Sequence, residues 1–307
     1  MKALKLPYSI LIYDIETSLL LAFLFQLGEQ RVSHDQLLDS MDMFGIITIS
    51  YKWYGQKEIH TLEGENALEE FDKIARTANV IIGKNNFRFD DKRLNTERLL
   101  KGLQPYMEFF HKSDDLESQL RRYFSFPSFS LDALSKHFGL GGKVKMEFKD
   151  WKSIAKLKLL QEFTKQFVKY GTRINSLAMQ AIQEAYCKSL FKTSVHEVVE
   201  VGEKALKKMA FYNKKDVQDT EDLLTRALPY IKLKYNAATA AQKNNTSERM
   251  LCTLCGSKRI AMSEKSFTGG TRYQLFHCYE HNGYAGKRAY QWDQRGKHQR
   301  YTGKMIK

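Results

Sequence analysis

A chain of 307 residues that is 43% hydrophobic and 27% charged can bury a sizeable core, which excludes an intrinsically disordered protein. Its net charge of +14, with a pI near 9.4, favours an anionic partner: nucleic acid, an acidic membrane or an acidic protein. The longest apolar stretch, Leu19 to Phe25, is far too short to cross a bilayer, and no cleavable signal pattern precedes it, so a soluble cytoplasmic protein is expected, with no membrane partner.

Tyr8 to Tyr13 reads as a strand ending at Asp14-Ile15-Glu16. Ile46 to Tyr54 reads as a second strand, and Glu58 to Leu62 as its hairpin partner across Gly55. From Glu65, "ENALEEFDKIARTA" places Leu68, Phe71 and Ile74 on one helical face. The apolar "NVIIG" at Asn79 to Gly83 suits a strand inside a mixed sheet covered by helices. Helices are expected at Asp91–Lys101, Leu116–Tyr123 and Ser130–Phe138. Beyond Gly141-Gly142 the pattern is mostly helical: Ser194 and Glu197 form a possible capping box, and a long helix is expected from about Glu203 to Leu228, stopped by Pro229. Residues 232–249 are polar and aperiodic and read as a linker, followed by a compact module over about 250–290 and a basic tail, 291–307.

Charge is unevenly spread. Residues 232–307 hold 15 Lys and Arg against 4 Asp and Glu, a net +11, which leaves +3 for the first 231 residues. Tyr273, Tyr284, Tyr290 and Trp292 interleave with these charges, a mixture suited to stacking bases as well as binding phosphates.

Side chains alternate along a strand, so Asp14 and Glu16 share one face and repel unless a cation lies between them. Asp90 follows Phe89 just beyond the "VIIG" strand, in "KNNFRFDD". Tyr212 and Asp216, in "FYNKKDVQD", are spaced i, i+4 and so share a helix face. Acids from two strand ends and a helix make a plausible site for two hard cations, Mg²⁺ or Mn²⁺, of the kind that serves phosphoryl displacement. Asp91, Asp219 and Asp115 are neighbours that compete for such roles; Asp115 reads equally as a surface acid.

"YDIETS", "GKNNFRFD" and "YNKKD" resemble, in order and spacing, the three motifs of the RNase H-fold, DnaQ-like 3′–5′ exonucleases of the DEDDy branch. The Tyr-x3-Asp spacing marks that branch; its sister branch needs His where this chain has Phe211. "DDKRLNTERLLKGL", "LDALSKHFGLG" and "EKALKKMAFYNKKDVQDTEDLLTRALPYI" extend the resemblance to a bacteriophage-type group whose nuclease domain precedes a zinc ribbon. The resemblance implies an α/β, RNase H-like mixed sheet flanked by helices over 1–231. It implies Asp14, Glu16, Asp90 and Asp216 as ligands of two Mg²⁺ or Mn²⁺ ions, and Tyr212 as the group orienting the attacking water. It implies hydrolysis of terminal phosphodiesters of DNA with a free 3′ end, with replication or repair proteins as company. Trimming of RNA 3′ ends is the alternative within the enzyme class, and a nucleic-acid-binding protein with a vestigial nuclease fold is the alternative outside it. Lys84 stands where the family often has His, and Leu19 where it often has Pro.

Cys252-x2-Cys255, then 22 residues, then Cys278-x2-His281, is a zinc-ribbon spacing with four ligands for one structural Zn²⁺. His277 is the competing fourth ligand, and Cys187 reads as core. Lys258, Arg259, Arg272, Lys287 and Arg288 of this module, with Asn85 of the nuclease part, are the expected nucleic-acid contacts.

Overall fold

The computed structural model describes residues 4–19, 45–141, 145–170, 176–238, 250–268, 271–292 and 299–301. Its larger sheet has five strands in the order β3-β2-β1-β4-β5. Central β1 (Ile10–Thr17) pairs antiparallel with β2 (Ile46–Trp53) and parallel with β4 (Val80–Gly83). Outside these, β3 (His60–Glu63) runs antiparallel to β2, and β5 (Ser113–Asp115) parallel to β4. This is the mixed α/β sheet expected from the sequence.

Both faces of the sheet are covered, which is why β4 has no polar side to show. Leu11, Tyr13, Ile15, Ile49 and Ile81 face helix α1 (Ala67–Thr77) through Leu68, Phe71 and Ala75, with Leu94 of α2 (Asp90–Leu100) and Phe109 of α3 (Met107–Lys112). Ile10, Ile12, Val80 and Ile82 face the other way. They meet Leu116 and Leu120 of α4 (Leu116–Tyr123), Leu134 of α5 (Leu131–His137), and Val217, Leu223 and Leu224 of α8 (Val195–Ala227). By alternation Asp14 and Glu16 continue the Ile10–Ile12 face, so both carboxylates point to the side on which α8 crosses.

Helix α8 has 33 residues and so spans roughly 50 Å. It begins earlier than the expected Glu203 because the Ser194 side chain accepts from the Glu197 N–H at 3.2 Å; capping signal and long helix are one element. Pro229, just beyond its end, cannot continue it. Helices α6 (Phe148–Tyr170) and α7 (Ser176–Phe191) pack along its first half. A Cβ on Gly202 would lie 2.6 Å from Leu157 Cβ, so glycine permits the close crossing of α6 and α8. Cys187 is fully buried, as expected.

Strands β6 (Ile260–Thr268), β7 (Thr271–Cys278), β8 (Gly283–Trp292) and β9 (Gln299–Tyr301) form a second, antiparallel sheet. Residues 269–270, between β6 and β7, lie outside the described residues, as does 20–44. Two boundaries differ from expectation. The basic tail is strand over part of its length, since β8 runs to Trp292 and β9 pairs back onto it, Tyr290 opposite Tyr301. The linker is not free over 232–238: Leu233, Ala237 and Ala238 are buried, and the Lys234 N–H donates to Asp114 Oδ2 at 2.9 Å. Polar composition hid a few small apolar residues that suffice to anchor an extended segment. The rest, 239–249, lies outside the described residues.

The C-terminal module is fused to the larger sheet. Leu251, Cys252, Leu254, Phe276, Cys278 and Ala285 belong to the same hydrophobic cluster as Ile10, Ile12, Val80 and Ile82. The Ala237 N–H donates to Thr253 O at 2.9 Å, and a Cβ on Gly283 would stand 2.9 Å from the carbonyl of Pro229.

Candidate catalytic and metal sites

Carboxylate oxygens of Asp14, Glu16 and Asp216 lie within 4.8 Å of one another. β1 supplies two of these acids and the middle of α8 the third. Asn213, one helical turn before Asp216, donates from Nδ2 to Asp14 Oδ2 at 2.6 Å and fixes that carboxylate. The Tyr212 hydroxyl is hydrogen-bonded to Asp216. Asp90 opens α2, and its Oδ1 accepts the Ile15 N–H at 3.2 Å, which ties it to the strand between Asp14 and Glu16.

The electrostatics are those of a site short of positive charge. Burial, then Asp90, Glu16 and Asp216, push the Asp14 carboxyl well above the usual range; the Asn213 bond opposes this. Burial is also the main cause that raises Asp90 to about 7, with its neighbours Asp91 and Asp115 adding to it. Burial and the charges of Asp216, Glu16 and Asp14 drive the Tyr212 phenol upward, so its hydroxyl keeps its proton at neutral pH. Crowded, buried oxygen donors of this kind could hold a hard divalent ion.

The rival acids have other work. Asp91 accepts from Tyr13 Oη, from Asn86 Nδ2 at 3.0 Å and from Ser113 Oγ at 2.7 Å, a closed network within the core. Asp219 accepts from Ser135 Oγ at 3.0 Å and pairs with Lys215. Asp115 is not a surface acid. It is buried, caps α4 through the Ser118 N–H at 3.1 Å, and accepts the N–H groups of Asn85 and Phe87 at 3.2 and 3.3 Å. It thereby holds the turn that leads to Asp90, in which Asn85 has a φ of 64°. Lys84 forms a half-sheltered ion pair with Glu117 at 2.7 Å. Asn213 escaped sequence reasoning, although it lies three residues before Asp216 and therefore shares its helix face.

In the C-terminal module Cys252, Cys255, Cys278 and His281 converge. Cys252 Sγ lies 3.2 Å from His281 Nε2, and Cys255 Sγ lies 3.6 Å from Cys278 Sγ. Tetrahedral Zn–S bonds of ~2.3 Å place two sulfurs roughly 3.8 Å apart, so the cluster fits zinc without rearrangement. The Cys255 thiol and His281 stabilise a thiolate on Cys252 and hold it down at about 4, whereas burial raises Cys278. His277 turns away, its Nε2 3.1 Å from Asn282 Oδ1.

The five basic residues of this module do not form one patch. Gln274 is paired with Arg288 and Leu275 with Lys287, so alternation sends Arg272 and Arg288 to one face of the sheet and Lys287 to the other, where its Nζ lies 4.2 Å from the Tyr273 ring. Arg259 pairs with Glu280 at 3.4 Å on the surface.

Fold and site together define a mixed α/β protein with a cluster of acids near the end of its central strand and a Cys3His cluster built into its core. No protein-family model matches the chain, and no curated protein matches it. Among solved structures it is similar to the family B DNA polymerase of the hyperthermophilic archaeon Pyrobaculum calidifontis, with 12% identity and a TM-score of 0.40 over 72% of this chain and 25% of that one. No described helix is long and apolar enough to cross a membrane.

Proposed function

We propose that the protein is a metal-dependent 3′–5′ exonuclease acting on DNA with a free 3′ end. The observation that carries the proposal is the convergence of Asp14, Glu16 and Asp216 oxygens within 4.8 Å, beside a tyrosine hydroxyl bonded to Asp216. On this reading Asp14, Glu16, Asp90 and Asp216 hold two divalent cations. Such ions would supply Lewis-acid stabilisation of the attacking and leaving oxygens. Asn213 keeps the Asp14 carboxylate turned into the cluster, and Asp115 fixes the turn before Asp90. Tyr212, protonated and donating to Asp216, orients the attacking water by accepting a hydrogen bond from it. Asn85 and, on one face of the ribbon, Arg272 and Arg288 contact the nucleic acid; Lys287, on the opposite face, does not share that surface. The Cys3His cluster binds one structural Zn²⁺, its four ligands leaving no open position.

Purified protein with Mg²⁺ or Mn²⁺ is offered 5′-labelled single-stranded DNA, duplex DNA and RNA of matched sequence. A ladder shortening from the 3′ end of DNA, absent with chelator, is expected. RNA cleaved in preference to DNA would replace the substrate, and no cleavage of any of the three would overturn the proposal.

A further inference from the structure

Beside the acidic cluster, one face of helix α8 and the end of edge strand β3 line an open cleft of about 550 Å³. Lys207, Phe211 and Lys214 line it, with Leu206 and Ala210 at its floor. Residues three and four apart share a helix face, so Phe211 stands between the two lysines. Phe211 is 62% exposed, although it directly precedes Tyr212. Among the described residues neither lysine has an ion-pair partner.

Sheet register ties this cleft to the carboxylates. Glu16 is opposite Thr48, and Thr48 is opposite Glu63, which lines the open cleft. Glu16 and Glu63 are thus two strands apart in one cross-strand row, roughly 10 Å. A strand whose 3′ end lies among Asp14, Glu16 and Asp216 reaches the open cleft with the nucleotides next to its end.

We infer that Lys207, Phe211 and Lys214 form a subsite for single-stranded nucleic acid, in which a base stacks on Phe211 and the flanking phosphates lie against the two lysines. The direction of threading rests on the exonuclease reading; the stacking does not. Glu63 and Glu203 also line the cleft, so its formal charge is balanced and the aromatic face must carry much of the affinity. That separates it from a general polyanion patch: it selects a splayed strand with exposed base faces over a duplex.

The test is equilibrium binding of a fluorescent oligothymidylate to the full chain in chelator, where no hydrolysis occurs. Phe211→Ala is expected to weaken binding roughly five- to hundred-fold, the range for loss of one base–aromatic stack. Phe211→Trp should restore it, and the double variant Lys207→Gln, Lys214→Gln should flatten the log–log salt dependence by about 0.7 for each phosphate lost. Unchanged binding by Phe211→Ala, or an equal loss in Phe211→Trp, would overturn the inference. A second readout separates it from the proposed activity. With Mn²⁺, the 4-nitrophenyl ester of thymidine 5′-phosphate has no neighbouring nucleotide, so Phe211→Ala should turn it over like the parent while its KM for oligothymidylate rises. If the parent cleaves neither substrate, the exonuclease reading fails while the binding result still decides the subsite.

Discussion

Replacing Asp14 by Asn tests the acidic cluster most directly, because the charge disappears while the shape stays. The amide that replaces the carboxylate keeps an oxygen for the Asn213 Nδ2 donor, which now sits 2.6 Å from Asp14 Oδ2. Two unit charges within 4.8 Å repel by about 3.5 kcal/mol at an effective dielectric near 20. Part of that is already relieved in the metal-free protein, because burial and its neighbours keep the Asp14 carboxyl protonated well above the usual range. The cluster is also partly open to water. About 1–3 kcal/mol is therefore what Asp14→Asn should return to the metal-free fold. For a chain of this size that is a rise in Tm of roughly 2–5 °C. Scanning calorimetry in chelator measures it, and a second scan in millimolar Mn²⁺ measures what the cation adds. The parent should gain Tm with Mn²⁺ and the variant should not, so that the order of stability reverses between the two buffers. Nuclease activity should be lost. If Asp14→Asn melts below the parent in chelator, or gains as much from Mn²⁺, the three acids are not a cation site and the electrostatic reasoning fails.

Four further outcomes are expected. Tyr212→Phe removes only the hydroxyl bonded to Asp216; exonuclease rates should fall by roughly 10²–10⁴-fold with little change in Tm, whereas a large drop in Tm at normal specific activity would make Tyr212 a packing residue. The Asp90 carboxyl, raised to about 7, binds its proton more tightly in the folded state than in the unfolded one, so the metal-free protein should lose stability as pH rises from about 4 to 7 and level off above. Mn²⁺ must displace that proton, so its affinity, followed by titration calorimetry, should weaken by up to about tenfold per pH unit below 7; a pH-independent affinity would remove Asp90 from the ligands. Cys252→Ser with Cys255→Ser should lower the Tm of the whole chain, because both thiols sit in the cluster that covers the larger sheet; retention of the parental Tm for the nuclease part, with only a separate low-temperature transition lost, would show that the module folds apart.

The proximity of Asp14, Glu16 and Asp216 was foreshadowed in the sequence, where each predicted acid, Asp90 among them, lies at a position where a period changes. Asp14 and Glu16 break the alternation of an apolar strand, Asp90 follows a short buried strand, and Asp216 sits a helical turn from Tyr212. The Cys3His cluster was legible for a different reason: cysteine and histidine spacing is a local constraint. What pattern could not supply was partnership at long range. Asp90 and Asp91 are alike as letters, yet Asp91 is consumed by Tyr13, 78 residues away. Asn213 looked like an ordinary helix residue until Asp14, 199 positions earlier, came into reach. The linker and tail misled because composition reports average polarity, whereas Leu233, Ala237 and Ala238 bury themselves one at a time. The basic residues of the ribbon counted as one patch in sequence, and pairing divided them between two faces.

Sharing one hydrophobic cluster between the first strand and the last module has a consequence for biosynthesis. Ile10, Ile12, Val80 and Ile82 leave the ribosome early, but the residues that complete their cover run to Ala285. At synthesis rates of about 5–20 residues per second, the apolar face of the sheet waits on the order of 10–40 s for its last partners. During that time the nascent chain presents Val80–Gly83 and its neighbours to chaperones, and the acidic cluster lies on a sheet that is not yet locked. Closure depends on a distant segment that carries the Cys3His cluster, so if that cluster takes the proposed Zn²⁺, supply of the metal during translation would set the yield of folded protein.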